Sequence, residues 1–159
     1  MTFNNTLPTV TIVTLLTDRR EFIPLLVACI NNQSYDKSKL EWVIVDDGEN
    51  KDKNLNFDNC SIKPLYFHCS KKLTVGRKRN IASNIATGEF IAFFDDDDIH
   101  YPSRITAGVT VLSKRGQRDV AGSSTLDIAD ISDGKIYRSG PFGKTMQLLV
   151  HFFLETVFI

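Results

Sequence analysis

Four consecutive aspartates, Asp95 to Asp98, follow the apolar run FIAFF of residues 90–94. Adjacent carboxylates repel one another, and the pKa of each rises unless a cation or hydrogen-bond donors compensate. Mg²⁺ and Mn²⁺ prefer oxygen ligands, and Mg²⁺ usually combines one or two carboxylates with phosphate oxygens and water. The run therefore predicts a divalent-cation site, with a solvated acidic turn ahead of the next helix as the alternative. An EF-hand is disfavoured, because the loop lacks the glycine at the sixth position and the closing glutamate.

A basic segment precedes the aspartates. KKLTVGRKRN, residues 71–80, holds five cationic side chains beside a glycine, at the start of a predicted helix. Cationic side chains and the amides of a helix N-terminus together bind phosphate groups. The two segments together predict a metal-bridged diphosphate, whereas a basic run alone is also typical of a solvated helix face. The 19 basic and 19 acidic residues of the chain cancel, so net charge gives no argument for a nucleic-acid partner.

Strands and helices alternate along the chain. Aliphatic and β-branched runs predict buried strands, and apolar stripes near proline or glycine predict helices. The predicted strands are residues 9–17, 40–48, 63–69, 89–94 and 119–125, and the predicted helices begin near Pro24, Gly76 and Pro102. Gly88, with a left-handed cap, and Gly116 are expected to end the second and third helices. A hairpin is expected to turn at Asp133 and Gly134. This order predicts an α/β domain with a mostly parallel sheet and helices on both faces.

Three predicted strands end in polar residues. Thr17 and Asp18 lie at the carboxyl end of the first strand, Asp46 and Asp47 at that of the second, and the aspartate run at that of the fourth. Ligands of open α/β sheets bind beyond the carboxyl ends of the strands. We therefore expect the three groups to lie along one edge and to form one site.

Linked motifs in this chain resemble a known family. VTLLTDRREFIP, EWVIVDDG, VGRKRNIASNIATGEFIAFFDDDDIHYP and VAGSS stand in the order seen in family 2 glycosyltransferases with the GT-A fold. The resemblance is closest to the subset that has a KRN element before a DDDD element. It spans about residues 9–144 and includes Gly140 to Gly143. The first strand of that family usually ends in a Pro-Thr-Tyr-Asn-like run, where this chain has LLTD.

The resemblance implies a donor and an acceptor. The donor is a nucleotide diphosphosugar carrying UDP, GDP or dTDP, and its sugar passes with inversion to a hydroxyl of a saccharide, lipid or protein. Thr17 and its neighbours are expected to meet the base, and the arginines are expected to face the diphosphate. A bound Mn²⁺ or Mg²⁺ is also implied. The implied donor-binding residues are Leu15, Thr17, Asp47, Arg77, Arg79, Asp95 and Asp96, and the implied metal ligands are Asp95 and Asp97.

The catalytic base is not assigned. Transfer requires a carboxylate that takes the proton of the acceptor, and the resemblance implies a base C-terminal to the aspartate run. Asp127 and Asp130 lie there, but both are first expected to be polar residues of the hairpin. Family members continue for many residues beyond Gly143, so residues 1–144 are expected to form the donor half of the enzyme.

Residues 145–159 are expected to form an aberrant or truncated tail. Codons consistent with this stretch, read in another frame, encode HATAGTFFLRNR, which is similar to the segment that follows the G-P-F-G-K element in the family subset. We therefore interpret the tail as the product of a frameshift. An amphipathic terminal helix is the rival hypothesis, although the apolar residues obey helical spacing only in part.

Two other functions stay open at this point. A non-catalytic module that binds the nucleotide sugar is the second hypothesis, and a nucleotidyltransferase is disfavoured because LLTDRRE contains no glycine-rich loop. His68 is expected to be a satisfied core or edge residue, and His100 a polar residue at a helix entrance, rather than metal ligands. The three cysteines lack paired spacing, and no secretory signal or bilayer-spanning stretch is present. These features predict a cytoplasmic protein.

Overall fold

The computed structural model describes residues 7–49, 55–114, 120–130 and 132–141. Short 3₁₀ turns precede the first helix and the second strand. The strands are β1 (Val10–Leu16), β2 (Leu40–Asp46), β3 (Leu65–His68), β4 (Phe90–Phe93), β5 (Leu126–Asp130) and β6 (Lys135–Ser139), and the helices are α1 (Ile23–Asn31), α2 (Val75–Ile85) and α3 (Arg104–Leu112).

The first four strands form one parallel sheet in the order β3-β2-β1-β4. Along the β1 and β2 pair the register runs from Val10 opposite Leu40 to Leu16 opposite Asp46. β4 pairs with the other side of β1, beginning with Phe90 opposite Val10. Because all four strands run in the same direction, their carboxyl ends lie at one edge. The predicted parallel sheet is confirmed.

Helices cover both faces of this sheet. On one face Ile12 and Trp42 are wholly buried and pack in a cluster with apolar residues of α1 and α3. On the other face Val13 and Val43 pack with Ala82 of α2. Alternate side chains of a strand point to opposite faces, so the near-continuous apolar runs of β1 and β2 supply both cores. The predicted three-layer α/β arrangement is confirmed.

Gly88 lies where the chain between α2 and β4 passes the first residues of β1. A Cβ at this position would lie 2.5 Å from the backbone nitrogen of Thr11 and 2.8 Å from the carbonyl carbon of Val10. The expected left-handed cap is wrong, because α2 already ends at Ile85 and Gly88 does not have a positive φ. Glycine is required here by the close approach of two backbones.

The predicted hairpin is confirmed. β5 and β6 pair antiparallel, with Asp130 opposite Lys135, and Gly134 in the turn has a φ of 68°. Glycine adopts this left-handed conformation without a steric penalty. Asp133 accepts a hydrogen bond from the Lys135 backbone nitrogen at 2.9 Å, which closes the turn.

The predicted fifth strand is wrong for residues 120–125, where an isolated bridge at Ala121 is the only strand-like pairing among these described residues. The Ser123 hydroxyl lies 2.7 Å from the Thr125 carbonyl oxygen and 3.1 Å from the Thr125 nitrogen. Local bonds of this kind compete with the ladder bonds of a strand.

Gly116 and the predicted tail from residue 145 onward lie outside the described residues. In the described part, each helix is too short or too polar to cross a bilayer.

Candidate functional site

The loops after β1 and β2 touch at the carboxyl edge of the sheet. The backbone nitrogen of Asp47 donates to the carbonyl of Leu16 at 3.3 Å. At Gly48 a Cβ would lie 2.6 Å from Asp18 Oδ1 and 2.9 Å from the Asp18 backbone nitrogen. No side chain fits between two backbones at these distances, so glycine allows the loops to meet. The polar residues that end β1 and β2 therefore lie side by side, as expected.

A buried cation joins the two strand ends. Lys78 Nζ donates to the Leu16 carbonyl at 3.1 Å, to Thr17 Oγ1 at 2.6 Å and to Asp47 Oδ1 at 2.9 Å. The hydroxyl of Thr17 also donates to Asp47 Oδ1, and the backbone nitrogen of Leu73 donates to Asp47 Oδ2 at 2.8 Å. Lys78 and Asp47 are each 4% exposed. We call these five residues the Lys78 cluster.

Hydrogen bonding determines the charge of Asp47. Burial acts to raise the pKa of this carboxyl, but the hydrogen bonds from Thr17, Leu73 and Lys78 outweigh burial and lower the pKa to about 2. Asp47 is therefore ionised at neutral pH, and each of its oxygens already accepts a bond from the protein. The carboxylate is thus firmly held at the strand end.

Lys78 is a site residue that the sequence analysis did not assign individually. It counted only as part of the basic segment, although it lies four residues before Ala82 and seven before Ile85. This spacing places Lys78 on the same face of α2 as the apolar residues that cover the sheet. A lysine on a buried face needs a carboxylate partner, so this spacing could have marked Lys78 as half of a buried ion pair, without identifying the other half.

Asp46 forms a second buried network beside the first. Its Oδ2 accepts hydrogen bonds from Arg20 Nη2 at 3.0 Å and from the Tyr66 hydroxyl at 2.7 Å, while Oδ1 accepts from the Gly48 nitrogen at 2.8 Å. Burial, followed by the hydrogen bond to Asp46, raises the pKa of Tyr66. The phenol therefore keeps its proton, and Asp46 supports the loop that carries Asp47.

An arginine links the loop after β1 to the aspartate run. Arg19 Nη2 donates to Asp96 Oδ1 at 2.6 Å, and Arg19 Nη1 donates to Asp97 Oδ2. We call these three residues the Arg19 bridge. The side chains of Arg19, Asp96 and Asp97 are 47%, 1% and 40% exposed. The sequence analysis missed Arg19, because the residue is 77 positions from Asp96 and only the fold brings the two together.

Within the Arg19 bridge, only one of the two carboxyl oxygens of Asp96 accepts a hydrogen bond from a side chain of the described residues. Its Oδ2 is buried and has no hydrogen-bond partner among the described residues. The pKa of Asp96 is raised to about 6, chiefly by burial and in addition by the negative charge of Asp97, although the guanidinium of Arg19 opposes the rise. The aspartate run therefore contains a buried carboxyl oxygen whose hydrogen-bonding capacity the described residues do not satisfy.

His100 supports the backbone of the aspartate run. Its Nε2 donates to the Asp95 carbonyl at 2.9 Å, and its ring centroid lies 4.1 Å from that of Phe94. The residue is 3% exposed, and burial lowers its pKa to about 4, so the imidazole is neutral at pH 7. His100 is thus a buried residue that ties the aspartate run to the segment ahead of α3. Asp95 itself is partly buried at the end of β4.

The remaining predicted site residues lie on or beside α2. Arg77 is exposed in the first turn, where its backbone nitrogen donates to the capping hydroxyl of Thr74 at 3.3 Å. The guanidinium carbon of Arg79 lies 5.1 Å from the centroid of the Phe93 ring, so this side chain packs over the end of β4. Leu15 is partly buried on the sheet face that α2 covers. These residues flank the Lys78 cluster.

A divalent cation at the aspartate run would need further ligands besides the side chains of the described residues. Within the ranges that the structure describes, no three His, Cys, Asp or Glu side chains converge as a metal site. Mg²⁺ is commonly held by one or two carboxylates together with substrate phosphates and water. The unpartnered Asp96 oxygen and the adjacent Asp97 fit that pattern. The residues therefore fit a divalent cation that is shared with a phosphate ligand.

A parallel α/β sheet with helices on both faces and with the aspartate run at its carboxyl edge has the architecture of the GT-A glycosyltransferases. The family described as Glycosyl transferase family 2 matches residues 11–151, and the chain belongs to that family. No curated protein matches the chain.

Solved structures of glycosyltransferases share this fold. TarS 1-349 of S. aureus is 22% identical with a TM-score of 0.58, over 67% of this chain and 32% of that one. Its complex with UDP-GlcNAc is 21% identical with a TM-score of 0.57, over 67% and 31%. The mannosyltransferase PcManGT from Pyrobaculum calidifontis, in complex with GDP-Man and Mn²⁺, is 21% identical with a TM-score of 0.50, over 67% and 32%. The chain spans about a third of the length of each.

Proposed function

We propose that the protein transfers a sugar from a nucleotide diphosphosugar to an acceptor hydroxyl, with inversion at the anomeric carbon and with Mn²⁺ or Mg²⁺ bound. Membership of the family supports sugar transfer. The observation that carries the proposal is the meeting of the aspartate run, the end of β1 and the basic helix α2 at one sheet edge, through the Arg19 bridge and the Lys78 cluster. A diphosphate and a cation need both kinds of charge within one site.

Each group of residues has a proposed role. Thr17 and Asp47 contact the nucleobase of the donor, and Lys78 holds these two residues in position. The exposed Arg77 and the neighbouring Arg79 contribute positive charge beside the diphosphate. The proposed donor-binding residues are Leu15, Thr17, Asp47, Arg77, Arg79, Asp95 and Asp96, and the proposed metal ligands are Asp95 and Asp97.

The proposed reaction is a displacement at the anomeric carbon. The acceptor oxygen forms a bond to that carbon from the face opposite the diphosphate, while the bond from the carbon to the phosphate oxygen breaks and its electron pair leaves with the diphosphate. When bound, the cation offsets the negative charge that grows on this leaving group. A carboxylate base takes the proton of the acceptor. Cationic side chains of α2 add to the stabilisation of the diphosphate.

Asp127 is unsuited to be that base. Its two oxygens accept from Arg138 Nε at 2.6 Å and Nη2 at 2.7 Å, and the hydroxyl of Tyr101 also donates to it at 2.7 Å. These hydrogen bonds lower the pKa of Asp127 to about 2. Asp130 accepts from Ser132 within the hairpin. These contacts favour a second candidate function, in which residues 1–144 bind the donor and transfer nothing by themselves.

For the donor, we propose which nucleotides it carries. The solved relatives with UDP-GlcNAc and GDP-Man support uridine and guanosine diphosphosugars as the first donors to test, followed by dTDP-sugars. The proposed acceptor is a hydroxyl of a saccharide, a lipid or a protein. We place the reaction in the cytoplasm, which the three free thiols at Cys29, Cys60 and Cys69 support.

Calorimetric titration of the 159-residue chain with UDP, GDP and dTDP, each with and without Mn²⁺, tests this function. At least one nucleotide diphosphate is expected to bind, and Mn²⁺ is expected to tighten the binding. Asp97→Ala is expected to weaken the Mn²⁺-dependent binding by about tenfold or more, because charge-assisted contacts contribute about 1.5–3 kcal/mol.

Asp133→Ala is the matched control, since it removes an exposed aspartate of the hairpin that bonds only within the turn region among the described residues. This variant is expected to bind nucleotide like the unmodified chain. A folded chain that binds none of the three nucleotides with Mn²⁺ would contradict the proposed function. Binding without release of nucleotide from any donor and acceptor pair would favour the donor-binding module.

A further inference from the structure

The Arg19 bridge places a protein cation on the proposed metal ligand. Arg19 Nη1 donates to Asp97 Oδ2, and Nη2 donates to Asp96 Oδ1 at 2.6 Å. The guanidinium thus spans two neighbouring carboxylates, one of which is expected to bind the divalent cation. A guanidinium that holds one oxygen of a carboxylate blocks a metal ion at that oxygen and repels it at the other, because both cations are positive.

The bridge leaves part of the aspartate run unsatisfied. Asp96 is 0% exposed, yet its Oδ2 has no hydrogen-bond partner in the described part of the chain. A buried carboxylate oxygen without a hydrogen-bond partner is unfavourable, because it has lost its contact with water and gained no donor in return. Arg19 reaches only the other oxygen of this carboxylate. The guanidinium therefore leaves one oxygen of this buried carboxylate without compensation.

Arg19 can leave its position more easily than Lys78 can. The side chain of Arg19 is 47% exposed, whereas that of Lys78 is 5% exposed and donates three hydrogen bonds. Solvent can replace the hydrogen bonds of a half-exposed guanidinium, but it cannot reach the ammonium of Lys78. Of these two cations, only Arg19 has the exposure that exchange requires.

We propose that Arg19 competes with the divalent cation for Asp97, and that the guanidinium leaves both Asp97 and Asp96 when the cation and the diphosphate bind. The inference rests on the proposed function for the identity of the cation site. A diphosphate offers the displaced guanidinium a new anionic partner, with which arginine forms bidentate hydrogen bonds. Arg19 therefore weakens binding of the cation alone and couples it to binding of the nucleotide.

The competition is tested by titrating Mn²⁺ into the full chain. The electron paramagnetic resonance signal of free Mn²⁺ is monitored during the titration. In the absence of nucleotide, Arg19→Gln is expected to bind Mn²⁺ at least about fivefold more tightly than the unmodified chain, the lower end of typical couplings between sites. With UDP present, the gain in Mn²⁺ affinity on adding UDP is expected to be smaller in Arg19→Gln than in the unmodified chain.

Arg138→Gln is the matched control, because it removes another arginine from an aspartate pair, that with Asp127 in the hairpin. It is expected to bind Mn²⁺ like the unmodified chain, which separates the effect of the bridge from a general loss of positive charge. An Arg19→Gln variant that binds Mn²⁺ no more tightly than the unmodified chain, or shows no detectable binding, overturns the inference.

A second variant covers the case in which Arg19→Gln does not fold. Arg19→Lys keeps the charge but lacks the planar fork that spans two carboxylates, so its Mn²⁺ affinity is expected to exceed that of the unmodified chain by a smaller factor. Equal affinities would overturn the competition.

The two proposals fail in different ways. If the unmodified chain binds nucleotide and position 19 has no effect on Mn²⁺ affinity, the competition is wrong and the proposed function stays intact. If the unmodified chain binds no nucleotide, the proposed function itself is contradicted.

Discussion

The Lys78 cluster and the Arg19 bridge lie at the same edge of the sheet and use the same chemistry, a cation held by aspartate. They differ in burial and in whether every carboxylate oxygen accepts a hydrogen bond. Asp47 is 4% exposed, and both of its oxygens accept hydrogen bonds. In the bridge, Arg19 and Asp97 are roughly half exposed, and one oxygen of Asp96 has no partner among the described residues.

This difference separates a structural ion pair from an exchangeable one. A buried pair is held in place because breaking it leaves an uncompensated charge in a region of low dielectric constant. An exposed pair contributes little to stability, since water and salt ions can replace either partner. The comparison indicates that Lys78 fixes the ends of β1 and β2, while Arg19 occupies a site that a ligand can take over.

The largest expected effect comes from breaking the buried pair. Lys78→Met is expected to lower the free energy of unfolding by about 3–5 kcal/mol, because Asp47 is left buried without its cation. Arg19→Met is expected to lower it by less, because the guanidinium and its partner Asp97 are both about half exposed and only Asp96 is buried. The smaller loss also reflects the pKa of Asp96, which burial raises to about 6 and which Arg19 holds down, so that without Arg19 this carboxyl takes up a proton more readily. Urea unfolding of both variants measures the two losses.

The double variant of Lys78→Met with Asp47→Asn serves as the control. It removes the unpaired charge together with the cation, so it is expected to regain part of the stability that Lys78→Met loses. Equal losses for Lys78→Met and Arg19→Met would remove the distinction between the two clusters.

An intermediate effect is expected from pH. The pKa of Asp47 is about 2 in the folded protein and about 3.9 in an unfolded chain, so the carboxylate stabilises the fold above about pH 4. This stabilisation, on the order of 2 kcal/mol, is lost as the pH falls from about 4 to about 2, because the unfolded chain binds the proton first. The difference in unfolding free energy between the unmodified chain and Asp47→Asn is therefore expected to shrink over that range. A difference that is the same at pH 3 and pH 7 would contradict the assignment.

The smallest expected effect concerns a hydroxyl within the Lys78 cluster. Thr17→Val keeps the shape of the side chain but removes its hydrogen bonds to Asp47 and Lys78. The loss in unfolding free energy is expected to be about 1 kcal/mol, since the buried ion pair itself remains. Thr17→Ser retains the hydroxyl and is expected to lose less in the same urea titration. A larger loss for the serine variant would show that the methyl group, and not the hydroxyl, supports the cluster.

Much of the fold could be predicted from local patterns. The buried strands, the helices near Pro24 and Pro102 and the hairpin at Gly134 have signals that lie within a few residues of one another. Two predictions failed where a longer-range or competing contact decided the structure. Gly88 is required by its approach to Thr11, and Ser123 bonds locally where a fifth strand was expected.

The sequence by itself determined that aspartates would follow strands of a parallel sheet, because side-chain type and periodicity are local properties. The tertiary structure decided which cation meets which carboxylate. Lys78 and Asp47 are 31 positions apart and Arg19 and Asp97 are 78 apart, so no spacing along the chain indicates either pair. Burial is also a property of the whole fold, and it alone makes one pair structural and leaves the other open to a ligand.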